Sequence, residues 1–250
     1  MKKFLTFIMS AAVCAVCAGA ATACASNDDS LVIGITIYSP MNYYDENDKL
    51  IGFDTEFAEK ACAELGYVPK FQVIDWDNKI SELQTGKIDV IWNGMTITDE
   101  LKEKIAITDP YMDNRQVVVV KAEYADKYST IADLANASSV AVESGSAGET
   151  VCSENGCDSL IKKEAQSDCL LEVKTGRSEI AVIDYTMARA MTGAGTDYTD
   201  LVYKDVGFAA EQYGIGMRKS DEELLKNLNA IIAKYSSDGT FDELIEKYMV

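Results

Sequence analysis

Short β-branched runs alternate along this chain with stretches whose apolar residues recur at helical spacing, and that alternation restricts the fold more than any other feature. Residues 31–37 form an apolar run of strand length. After a polar turn at 45–49, Phe53, Phe57, Ala61, Cys62 and Leu65 make a stripe that predicts a helix ending at Gly66, with Asp54 capping its start. Residues 68–74 read as the next strand, 77–85 as a helix stopped by Gly86, and 88–92 as a buried strand. Strand, helix, strand, helix, strand is most economically a parallel sheet with crossover helices. A second series follows the long strand 116–121. It comprises a strand at 140–142, a helix from Ser146, an amphipathic piece at 170–173, a strand at 179–183 and a helix at 185–191. A strand at 213–217 and helices at 221–235 and 241–249 complete the chain, so the predicted fold class is α/β in two units.

Charge and composition narrow the function. The 250 residues carry 23 Lys and Arg against 41 Asp and Glu, a net charge of −18, and such a surface repels a phosphate backbone. Nucleic acid is therefore not an expected partner. Histidine is absent, which removes the commonest general base, the commonest zinc ligand and every Ser-His or Cys-His pair. Carboxylate or lysine chemistry stays open, but the leading expectation is no catalytic residue, no metal and no cofactor.

The first residues read as a targeting segment. Lys2 and Lys3 precede an uncharged stretch from Phe4 to Ala21, followed by Ala21-Thr22-Ala23-Cys24 and a polar tether. An ordinary small-x-small cleavage site competes here with a lipobox. The lipobox is preferred because a tether after the cysteine suits a lipid anchor, although Ala21 stands where such a motif usually has Leu. On that reading residues 1–23 are a signal peptide, 24–30 a lipidated tether on Cys24, and the protein is extracytoplasmic and held at the cell membrane. Without lipidation it would be periplasmic or secreted. Removal of the leader takes Lys2 and Lys3 and shifts the net charge from −18 to −20.

Four cysteines remain after Cys14, Cys17 and Cys24. Cys62 lies on the apolar helical stripe and reads as a core thiol. Cys152 and Cys157 bracket Ser-Glu-Asn-Gly, a turn-prone stretch suited to a small disulfide loop, and Cys169 competes for either partner.

Two segments carry polar and small residues directly after strands, where open α/β sheets place ligands. In 92–100, Gly94 permits close backbone approach and the Thr96 hydroxyl can bond a carboxylate, while Thr98 suits an ordinary helix N-cap. In 144–149, Ser-Gly-Ser-Ala-Gly-Glu opens a helix whose first N–H groups favour an anion.

Seven motifs then occur in a telling order: Tyr38-Ser-Pro-Met41, Gly52-Phe-Asp54, the run 83–90, Gly94-Met-Thr-Ile-Thr98, Thr108-Asp-Pro-Tyr111, Gly176-Arg177 with Val182-Ile-Asp184, and the run 213–219. Their order resembles that of the polar amino-acid substrate-binding proteins of ABC importers, extracellular solute-binding protein family 3. The resemblance covers nearly the whole chain after the leader. It implies a two-lobed, periplasmic-binding-protein-like type II fold, its lobes joined by two crossing strands and closing on a ligand. Lobe 1 would be 31–114 plus 214–250 and lobe 2 115–213. Tyr38 and Trp76 would sandwich the ligand side chain, with core packing as the plainer role of Trp76. Asn93, Gly94 and Thr96 from lobe 1, and the Ala147 N–H from lobe 2, would hold an α-carboxylate. Asp184 would pair with the α-ammonium or cap the helix at Tyr185. The implied partners are a small-molecule ligand, a membrane permease and, through Cys24, the lipid bilayer.

One position departs from the pattern. Five residues after Thr96 the family usually has an arginine that clamps the carboxylate, and here Leu101 stands there. Loss of such a charge-assisted pair costs roughly 1.5–3 kcal/mol. Either Thr96 and backbone donors suffice, with help from Arg115 or Arg177, or the ligand has no α-carboxylate. The leading expectation is a receptor for an amino acid or a derivative. An enzyme of the same fold, similar to cyclohexadienyl or arogenate dehydratases, is the alternative, and a surface adhesin or sensory domain is a third.

Overall fold

The computed structural model describes residues 29–249, so the leader and the lipid-anchor reading at Cys24 lie outside the described residues. The first half of the chain runs β1 (Ser30–Ile35), a hairpin of β2 (Tyr43–Tyr44) and β3 (Leu50–Ile51), α1 (Phe53–Leu65), β4 (Val68–Val73), α2 (Lys79–Gln84), β5 (Val90–Thr96), α3 (Asp99–Lys104) and β6 (Ala106–Ile107). The long β7 (Met112–Lys121) leads to β8 (Val140–Glu143), α4 (Ala147–Glu154), β9 (Leu160–Lys163), α5 (Gln166–Lys174), β10 (Ile180–Asp184), α6 (Tyr185–Met191) and β11 (Leu201–Lys204). The chain returns through β12 (Ala210–Met217) and ends in α7 (Glu222–Asp238) and α8 (Thr240–Met249).

The strands order as β4-β1-β5-β12-β7-β10-β8-β9. Parallel pairs stand at both outer ends, β1 with β4 and β5, and β8 with β9 and β10. The join is antiparallel. β7 pairs β12 through residues 112–115 and β10 through 116–120, so these strands carry the sheet from one lobe into the other. The crossing-strand, two-lobed architecture is thus present.

Burial follows the apolar pattern. Phe57, on the predicted stripe of α1, is fully buried and meets Trp92, Tyr111, Tyr235 and Phe241 with ring centroids 4.7, 5.5, 5.8 and 4.9 Å away. That cluster ties α1, α7 and α8 onto β5. In the second lobe, Val118, Val120, Val140, Val142, Ile180 and Val182 form a core on one face of β7, β8 and β10.

Several expectations need correction. β5 extends to Thr96 because Tyr213 and Gly214 pair with Thr96 and Met95, so Gly94 and Thr96 belong to a strand end instead of a loop. β7 starts at Met112 and β12 at Ala210, earlier than their apolar runs, because their polar halves pair with each other. The helix expected at 77–85 is a 3-10 turn, Trp76–Asn78, capped by Asp75 and followed by α2. Asp54 does not cap α1: Gly52 holds the N-cap position, and the Asp54 carboxylate turns inward. Cys152 and Cys157 are buried free thiols, and the Cys157 N–H donates to the Cys152 carbonyl at 3.1 Å as the chain leaves α4.

Candidate functional site

On the lobe 1 side the backbone is stitched together by the protein's own side chains. The Asn93 Oδ1 accepts from the Thr36 N–H at 3.0 Å and the Thr36 hydroxyl at 2.7 Å, while its Nδ2 donates to the Thr36 carbonyl at 3.0 Å and to Asn42 Oδ1 at 2.7 Å. That amide is fully used, and it locks the end of β1 and the Tyr38 turn to β5. Gly94 has φ +57°, and a Cβ there would meet Tyr38 Cε1 at 2.7 Å, so only glycine lets the tyrosine ring lie on the strand. Its N–H donates to Asp54 Oδ2 at 2.7 Å, and the Tyr111 hydroxyl donates to the same oxygen at 3.0 Å. Burial pushes the Asp54 carboxyl up to about 7 despite these donors. The Tyr38 hydroxyl shares a 2.6 Å hydrogen bond with that of Tyr213.

Trp76 both packs and lines. It is 6% exposed, belongs to the core with Leu83, Ile88 and Met95, and still borders the cavity. The Lys79 ammonium lies 4.9 Å from its ring centroid.

The opposite wall comes from lobe 2. Ser146 caps α4, its hydroxyl accepting from the Glu149 N–H at 3.2 Å, and Ala147 is the first helical residue. The Gly145 N–H donates to Glu149 Oε2 at 2.8 Å, so a carboxylate of the protein already engages this helix start. Asp184 ends β10 and is 4% exposed. Its carboxylate accepts from the side-chain amides of Asn114, Gln116 and Gln166, the Gln116 bond being 2.8 Å, and its own N–H donates to Gln166 Oε1 at 2.9 Å. Burial raises its pKa above the usual carboxylate range, against the pull of those donors.

Two further carboxylates share this cavity. Glu211 Oε2 accepts from Gln116 Nε2 at 2.9 Å, the Thr96 hydroxyl at 3.1 Å and Asn114 Nδ2 at 3.3 Å, and burial raises its pKa too. Glu143, the last residue of β8, is 3% exposed and its Oε1 has no hydrogen-bond partner. Burial, and then the charge of Asp184, push its carboxyl up to about 8.

All seven expected residues, Tyr38, Trp76, Asn93, Gly94, Thr96, Ala147 and Asp184, line one cavity of about 830 Å³ between the lobes, together with Leu101. Arg115 and Arg177 do not line it. Arg115 pairs with Asp205 at 2.5 Å and Arg177 with Glu172 at 3.0 Å, which excludes the help expected from either. Across the mouth, Lys79 Nζ donates to the Gly145 carbonyl at 2.8 Å and to the Trp76 carbonyl at 3.1 Å, tying α2 to the loop before α4.

Sequence reasoning missed Glu143, Glu211, Lys79 and the bridging amides of Asn114, Gln116 and Gln166. For Glu143 a signal existed, a charged residue continuing the apolar strand at 140–142. Glu211 had none, because the strand expected at 213 starts too late to include it. No group of three or more His, Cys, Asp or Glu side chains among the described residues is arranged to hold a metal, and no helix among them is long and apolar enough to cross a membrane.

Known proteins of similar sequence and shape agree with this architecture. The L-cystine-binding protein TcyJ of Escherichia coli (strain K12) is 28% identical over 222 residues, covering 88% of this chain and 82% of TcyJ. An ancestral arginine-binding protein bound to arginine superposes with a TM-score of 0.81 at 33% identity, covering 89% of this chain and 99% of that one. The ancestral amino acid-binding protein AncCDT-1, a precursor of cyclohexadienyl dehydratase, gives 0.81 at 34% identity, with 89% and 96% covered. A family model matches residues 31–250, and the chain belongs to the bacterial extracellular solute-binding proteins, family 3.

Proposed function

We propose that this protein captures a small ammonium-bearing solute, an amino acid or an amino-acid derivative, between its lobes and delivers it to the permease of an ABC importer. The observation that carries this reading is the cavity itself. Its walls come from both lobes, and a buried carboxylate on them, Asp184, is held by three amide donors in a geometry suited to an ammonium cut off from water. Lobe 1 is assigned residues 31–114 plus 214–250 and lobe 2 residues 115–213, with β7 and β12 as the hinge strands. Tyr38 and Trp76 supply an aromatic wall for the solute's carbon chain, and Asn93, Gly94, Thr96 and Ala147 line the remaining surface. Relatives named for cystine and arginine binding support the amino-acid class. Lipidation of Cys24 would keep the receptor beside its permease, and Cys24→Ser should then release the protein from membranes into the soluble fraction.

The dehydratase alternative has AncCDT-1 as a structural neighbour. A dicarboxylic cyclohexadienyl acid would face Glu143, Asp184 and Glu211 with no arginine on the walls, so the charge of the cavity opposes it. Calorimetry on the purified protein tests the main reading. An ammonium-bearing solute should bind, and Asp184→Ala should weaken it about 100-fold, the scale of breaking a buried charge pair. Unchanged affinity would remove Asp184 from the site.

A further inference from the structure

Carboxylates of the protein stand at both places where a ligand carboxylate was expected. The Thr96 hydroxyl donates to Glu211 at 3.1 Å, and the Gly145 N–H before α4 donates to Glu149 at 2.8 Å. Where an arginine would complete an anion site, Leu101 packs its side chain with Ile80 and Ile107 against the apolar cluster that includes Trp76. A ligand carboxylate placed beside Thr96 would therefore meet Glu211 and no opposing guanidinium.

The remaining charges are unbalanced in the same direction. Lys104 is paired with Glu100 at 2.6 Å and Lys162 with Glu149 at 2.5 Å. That leaves Lys79, whose ammonium already donates to two carbonyls, as the cation facing Asp77, Glu143, Asp184 and Glu211. The last three form a row. The Gln166 side chain bonds Asp184, whose strand pairs with that of Glu143, and Asn114 and Gln116 each bridge Asp184 to Glu211. At one end of the row Glu143 keeps an oxygen with no partner although the residue is only 3% exposed, an arrangement that costs free energy until a donor arrives.

A zwitterion would bring no net charge to this row, and one ammonium would offset one carboxylate of three. Resting on the solute-capture reading above, we propose that the cavity takes a small linear dication without a carboxylate, an α,ω-diamine or an amino-guanidine, with its two cationic ends along the Glu143–Asp184–Glu211 row. The methylene chain lies against Trp76 and Tyr38, and Glu143 supplies the second cation subsite.

Calorimetry on the purified protein at pH 8 tests this with matched pairs, 1,5-diaminopentane against L-lysine and agmatine against L-arginine, alongside L-glutamine and L-cystine. At least one carboxyl-free dication should bind about tenfold or more tightly than its carboxylated counterpart and than both neutral amino acids. Glu143→Gln should cost that dication about tenfold while leaving the melting temperature of the empty protein unchanged or higher. L-lysine or L-arginine binding as tightly as the matched dication, or Glu143→Gln without effect on it, overturns the proposal. A neutral amino acid as the tightest ligand overturns it while leaving solute capture intact, and binding by none of the six overturns both.

Discussion

The two walls of the cavity are finished to different degrees. On the lobe 1 wall the polar groups facing the cavity have partners within the protein: Asn93 makes four hydrogen bonds, the Gly94 N–H is spent on Asp54, and Tyr38 is tied to Tyr213, while the unpartnered Asp54 Oδ1 lies behind the wall and not on it. On the lobe 2 wall, Glu143 and Asp184 are buried acids on neighbouring strands, and one Glu143 oxygen has no partner. The difference separates shape from charge. Lobe 1 provides a rigid aromatic bed whose stability owes nothing to a solute, whereas lobe 2 holds an electrostatic deficit that a cation relieves.

Substitutions on the two sides should therefore move opposite quantities. The largest effect is expected from Asn93→Ala, which strands the Thr36 N–H and carbonyl and the Asn42 amide in the core. A loss of about 2–4 kcal/mol should appear as a clear drop in melting temperature. If stability survives and only affinity falls, the separation between the walls fails.

The pH dependence of the empty protein comes next. Asp54 holds its proton up to about 7 and Glu143 up to about 8, while the unfolded chain releases both near pH 4. The native state thus keeps protons that the unfolded state has lost, so stability falls as pH rises from about 4 to about 8. Scans at pH 5 and pH 8 should give a lower melting temperature at pH 8, and Asp54→Asn should narrow the gap.

Ligand affinity should run the other way. A cation prefers the ionised Glu143, which faces Asp184 from β10, Lys79 from α2 and the Cys169 thiol from α5, so affinity should rise between about pH 6 and pH 8. Calorimetry in buffers of different ionisation enthalpy should register proton release on binding.

The smallest effect is expected at the mouth. Lys79→Met removes the bond to Gly145 and should change affinity only a few-fold, since one such hydrogen bond contributes about 1 kcal/mol. A change of 100-fold would mean that Lys79 acts on the solute directly.

The parts of this molecule legible from sequence are those set by local chemistry. The helix Tyr185–Met191 was bounded correctly because a strand-end acid and an apolar stripe mark it within a few residues. The residues expected at the cavity line it, and they were assigned through the family resemblance that the short motifs carry, not from local chemistry alone. The acidic row was not legible. In a chain with 41 acidic residues, nothing near Glu211 distinguishes it from its exposed neighbours, and its place is set by pairing with Asn114, far away in sequence. The interiors of α1 and of the second core follow directly from periodicity, whereas Glu143 and Glu211 become neighbours of Asp184 only after the sheet assembles.

The Lys79–Gly145 bond has a consequence for traffic at the membrane. It joins the lobes directly, side chain to backbone, so part of the free energy of closure comes from the protein itself. At about 1 kcal/mol, such a clasp multiplies the share of shut, vacant molecules roughly fivefold over an otherwise identical receptor lacking it. A transporter that recognised only the shut outline would then hydrolyse nucleotide for nothing, and the strength of this one side-chain contact sets how often.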